Sequence, residues 1–126
     1  MIDTKKDTFS RNNALKAISE ASASLGMQAP ELEWSNRAKN GRYCLGTIQV
    51  GPRCWRGWYV LVHEFAHHIH EYAFPYRLTL KRADHHGPEF RESLELAAAV
   101  MLGDPKAYAW GNEYRLIARW AKKKGY

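Results

Sequence analysis

His63, Glu64 and His67 stand in the order His-Glu-x-x-His inside the stretch Gly57 to Glu71. If that stretch is a helix, residues four apart project side by side, so both imidazoles can reach one ion. The glutamate sits one position round, beside the ion rather than on it. Two neutral imidazoles and a free carboxylate are what a helix offers a hydrolytic metal: the histidines hold the cation, and Glu64 takes a proton from the water that the cation activates.

The periodicity agrees with a helix. At about 100° per residue, Trp58, Leu61, Val62, Phe65, Ile69 and Tyr72 fall on one apolar face. His63, Glu64, His67, His70 and Glu71 fall opposite, which places the histidines outside the buried stripe. His68 points between the faces and reads as structural. His70 reads as a surface imidazole or one bonded to Glu71.

A catalytic zinc takes three protein ligands and leaves a fourth position open, so another donor must come from elsewhere. The metzincin extension would need Gly and His where this chain has His70 and Ala73, and is excluded. The residues leave two alternatives: a downstream glutamate (Glu89, Glu92 or Glu95) or a histidine at 85 or 86.

The elements that must position these groups are legible in outline. Ala14, Leu15, Ala17, Ile18, Ala21 and Leu25 recur at helical spacing between a Ser10 cap and a Gly26 stop, with Ser19, Ser22 and Ser24 on a solvated face. After Pro30 the period changes. Leu32 and Trp34, Tyr43 and Leu45, and Ile48 and Val50 alternate with polar neighbours, which predicts a small antiparallel sheet with a hairpin turn at Asn40-Gly41 and an end at Gly51-Pro52. Thr47 to Val50 is the candidate outer strand beside the metal cleft.

Residues 73–83 read as loop. Gly87 and Pro88 mark the start of a helix whose core positions are Phe90, Leu94, Ala97 and Met101. Gly103-Asp104-Pro105 ends it and caps a basic C-terminal helical segment over 104–126.

The 126 residues make one α+β domain, large enough to fold without disulfides. Cys44 and Cys54 lack CxxC spacing and read as free thiols. No run is long enough for a signal-peptide core or a membrane span, so the reading is cytoplasmic, with no membrane partner. Nineteen Lys and Arg against thirteen Asp and Glu give a net charge of +6, which favours acidic partners, nucleic acid first.

His63-Glu64-Phe65-Ala66-His67, followed by His86-Gly87-Pro88-Glu89-Phe90, resembles the zinc-protease core of the SprT-like family, which includes the Spartan proteases. The resemblance covers roughly residues 10–102, with clear identity only in the two motifs. It implies a zincin-like minimal metalloprotease fold, with zinc held by His63, His67 and His86, Glu64 as general base, and a protein or peptide substrate, including proteins attached to DNA. The C-terminal zinc ribbon and long tail of fuller members are lacking. His85, Tyr76 and Tyr108 are candidates for stabilising the oxyanion of peptide hydrolysis.

A reading from another class is a basic nucleic-acid-binding module with a structural or inactive zinc site. It rests on the charge balance and on Arg115, Arg119, Trp120 and Lys122 to Lys124.

Overall fold

A computed structural model describes residues 1–73 and 88–107. Among these the order is α1 (Arg11–Leu25), β1 (Glu31–Trp34), β2 (Arg42–Cys44), β3 (Thr47–Val50), α2 (Gly57–Ala73) and α3 (Pro88–Leu102). This is a mixed α+β architecture of three helices and one three-stranded sheet.

Local sequence sets both ends of α1. The Ser10 side chain accepts a hydrogen bond from the Asn13 amide at 3.2 Å. Gly26 takes the left-handed conformation (φ 64°), with its amide donating to Ala23 and that of Met27 donating to Ser22. These are the paired bonds of a Schellman stop. One expectation fails on this helix: Ser22 is buried rather than solvated.

The sheet is not antiparallel throughout. Its order is β1-β3-β2, with β1 parallel to β3 and β2 antiparallel to it. Alternation fixes which side chains face inward but not strand direction, so the pattern is the same for either pairing. Thr47–Val50 is therefore the central strand, and its Ile48 and Val50 are fully buried. The edge strand on the α2 side is Arg42–Cys44.

The hairpin turn also moves. Cys44 pairs with Thr47, so Leu45-Gly46 is the two-residue loop, with φ 43° and 86°. Positive φ at both central positions is the signature of a type I′ turn, whose twist matches the flanking strands. Asn40-Gly41, the better turn in sequence, lies before β2 and serves another purpose, described below.

Helix α2 is the centre of the molecule. Leu61, Val62, Phe65 and Ala66 are fully buried, and Trp58 and Ile69 nearly so. α3 supplies Phe90, Leu94, Ala97, Ala98 and Met101 to the same core. With both sides of α2 covered, the two-faced pattern is only partly realised: Glu64 and His70 are buried, whereas Tyr72 is 64% exposed.

The polar chain start is integrated as well. The Ile2 amide donates to the Met101 carbonyl at 2.8 Å. Trp58 Nε1 donates to the Asp7 carbonyl at 2.8 Å, and the Phe9 ring packs on Trp34 and Trp58. Cys44 and Cys54 are free thiols, and no described helix is long and apolar enough to cross a membrane.

Leu45 holds a left-handed conformation that costs an L-residue roughly 1–2 kcal/mol, yet its side chain is 71% exposed. Leu45→Asn, which gives the preferred Asn-Gly pair, should raise the thermal midpoint by about 3–5 °C in a calorimetric scan.

Candidate metal centre

Two turns into α2, His63 and His67 direct their Nε2 atoms at each other, 3.2 Å apart. Two imidazole nitrogens at this distance can share a proton or a cation. A tetrahedral ion with metal–nitrogen bonds of about 2.0–2.1 Å sets its ligands about 3.3–3.4 Å apart, close to the observed spacing. Glu64 Oε1 lies 3.9 Å from His63 Nε2. Ligand atoms of His63, Glu64 and His67 all fall within 4.8 Å of one another, a group able to hold a metal ion.

Rings from two elements order the pair. Phe90, the fully buried third residue of α3, stacks on His67 at 4.4 Å between centroids (28° between planes) and leans on His63 at 5.4 Å. From β2, the Tyr43 ring lies nearly parallel to His67 at 6.4 Å. The imidazole of His67 is thus oriented by ring surfaces rather than left to rotate.

Tyr43 is itself anchored. Its hydroxyl accepts the Gly46 amide at 2.9 Å and donates to His68 Nδ1 at 3.0 Å. His68 Nε2 donates to the Gln28 carbonyl at 2.8 Å, which fixes the tautomer that leaves Nδ1 free to accept. His68 is structural, as its position between the helix faces implies. Burial, and then the neighbouring Glu71 carboxylate, push the Tyr43 pKa well above its ordinary value.

Gly41 explains the placement of Glu64. A methyl group there would meet Val60 Cγ1 and would come within 2.9 Å of Glu64 Cγ. The loop before β2 therefore lies directly on the Glu64 side chain, and only a residue without Cβ allows the approach. Sequence offers the glycine but no reason to place it here rather than in a turn.

Of the third-ligand alternatives, only the Glu92 and Glu95 side chains fall among those described. Glu95 accepts a hydrogen bond from Lys106 Nζ at 2.8 Å, and Glu92 is exposed; neither joins the metal group. His85 and His86, with Tyr76 and Tyr108, lie outside the described residues. His70, expected at the surface, is buried with its ring 6.1 Å from that of Phe90. A cavity of about 320 Å³ lies away from the metal group, between the N-terminal segment, α1 and α3.

Compared with protein-family models, with curated proteins and with solved structures, the chain matches none of them. The site's chemistry therefore carries the functional argument.

With its pKa raised, Tyr43 keeps its proton in the folded chain at pH values, above about 10, where the unfolded chain has lost it. The unfolded state then binds fewer protons, so stability must fall as pH rises past that point. Tyr43→Phe should show a shallower decline in chemical-denaturation stability above pH 10 than wild type, whatever its stability at neutral pH.

Proposed function

We propose that this chain is a zinc-dependent metallopeptidase of SprT-like type, in which His63, His67 and His86 hold the ion and Glu64 is the general base. The observation that carries the reading is the pair of Nε2 atoms 3.2 Å apart with a buried carboxylate one residue along. Two imidazoles suit zinc, with manganese, cobalt and nickel as competitors for the same donors.

Phe90 adds to the argument for His86. The motif His86-Gly87-Pro88-Glu89-Phe90 ends on the ring that touches both histidines, so only three residues of chain separate the proposed third ligand from the ring packed on the pair it would join.

When bound, zinc supplies Lewis acidity that lowers the pKa of a water molecule and polarises a carbonyl. The protein's part falls to Glu64. Its carboxylate is held between α2 and the Gly41 loop, accepts a proton from the attacking water, and returns it to the departing amine. Burial of the carboxylate keeps it in one place, which saves the reorganisation a solvated side chain would need. Of the two edge strands, β2 carries Tyr43 beside His67, which favours it over β1 as the edge that would pair with an extended substrate.

The net charge of +6 is compatible with substrates that are bound to DNA. It also motivates the second reading, a basic binding module with an inactive zinc site, whose C-terminal cations at 115, 119 and 122–124 lie outside the described residues.

Zinc content and casein cleavage separate these readings. Wild type and Glu64→Gln should both retain zinc while only wild type cleaves; two equally inactive proteins would favour the binding module. Loss of zinc from His86→Ala, but not from Glu92→Ala or Glu95→Ala, checks the ligand set.

Gly41→Ala provides an independent test of the base. The added methyl should displace the Glu64 side chain, cost about 1–3 kcal/mol of stability from overpacking, and lower kcat at least tenfold with zinc content unchanged.

A further inference from the structure

No acidic residue stands between Glu33 and Glu64, and the interval carries five cations: Arg37, Lys39, Arg42, Arg53 and Arg56. All five are exposed, and none pairs with a carboxylate among the described residues. They stand in or beside two loops, 35–41 and 51–56, that the fold ties together. The Ser35 amide donates to the Val50 carbonyl at 2.9 Å, the Ser35 carbonyl presses on Gly51, and Cys54 Sγ donates to the Ala38 carbonyl at 3.6 Å. Like charges have been gathered on one ledge although nothing described there neutralises them.

The ledge adjoins the reacting carboxylate. Gly41, which lies against Glu64, sits between Lys39 and Arg42, and Arg42 begins the edge strand β2. At the other end, the Arg56 guanidinium is held over the rings of Tyr59 and Trp55, at 4.6 and 5.5 Å from their centroids. That contact fixes its charge at the start of α2 without discharging it. From Arg56 to Glu64 the helix axis rises roughly 12 Å, the length of about four residues of extended chain.

We infer that this ledge selects the substrate: the enzyme cuts polypeptides carrying acidic side chains within about four residues of the scissile bond. The inference rests on the peptidase reading and adds the substrate class to it. A polypeptide is favoured over a nucleic acid because the cations border the Glu64 contact and the outer edge of β2, unpaired among the described residues, where that reading already places an extended peptide. Attraction of this kind raises capture of the right substrate and repels basic segments, which meet like charge.

The test uses the full chain loaded with zinc and a series of fluorescein-labelled peptides with one shared core. Glu, Gln or Lys is placed within four residues of the scissile bond, on either side. Cleavage is followed with wild type, and binding with Glu64→Gln, so that recognition is read even where no bond is cut. Glu peptides should bind, and be cleaved in kcat/KM, about tenfold better than Gln peptides, with Lys peptides poorest, and the advantage should shrink as salt is raised.

The triple variant Arg37→Glu/Lys39→Glu/Arg42→Glu should reverse the order. Arg42→Gln alone should reduce the Glu preference, and both variants should keep the wild-type circular dichroism. Equal binding of Glu and Gln peptides would overturn the inference, as would a preference that survives the triple variant. Single-stranded oligonucleotide bound through these cations, with no discrimination among peptides, would assign the ledge to nucleic acid and overturn it too. Preferential binding of Glu peptides with none cleaved would uphold the ledge and remove the peptidase reading.

Discussion

The contact between Phe90 and the two imidazoles ties the site to the fold. Residues four apart on any helix are neighbours, but a solvated histidine pair samples many rotamers and meets at one point only occasionally. Here the first turn of α3 brings a fully buried ring against both imidazoles, and Tyr43 lies beside one of them from the sheet. Core packing therefore does the orienting. The hydrophobic contact that holds α3 on α2 is the same contact that aims the nitrogens, so stability and site geometry are coupled.

Tyr43 and His68 enter this arrangement with their polar groups hydrogen-bonded. The chain of bonds from Gly46 through Tyr43 and His68 to Gln28 crosses from the hairpin to α2 and on to the segment after α1. Each group is used in the one role its chemistry leaves open: a hydroxyl that accepts and donates, and an imidazole that does likewise through different nitrogens. Such a network gives a unique register to an edge strand of only three residues, which by itself has little to fix its position.

The parts legible in sequence are those whose cause is local. Ser10 and Gly26 bound α1, Pro88 opens α3, and the spacing of His63 and His67 needs nothing beyond one helical turn. What was missed depends on contacts between distant segments. Parallel pairing of β1 with β3 leaves the alternation of either strand unchanged. Leu45 takes positive φ without being a residue that favours it, whereas Asn40-Gly41 has the residue types of a hairpin turn but lies before β2. The burial of Glu64 and His70 follows from helix and sheet closing over α2 from two sides, which a single-helix projection cannot represent. Gly41 was visible as a glycine, but its reason is a side chain on another element.

The order of elements along the chain separates the two halves of the centre in time. During synthesis α2 is complete before the segment that supplies Phe90 has been made, and the bond between Ile2 and Met101 must wait until α3 is nearly finished. A nascent chain thus carries both imidazoles in open, uncommitted rotamers, and docking of the final described helix converts them from a mobile pair into an oriented one.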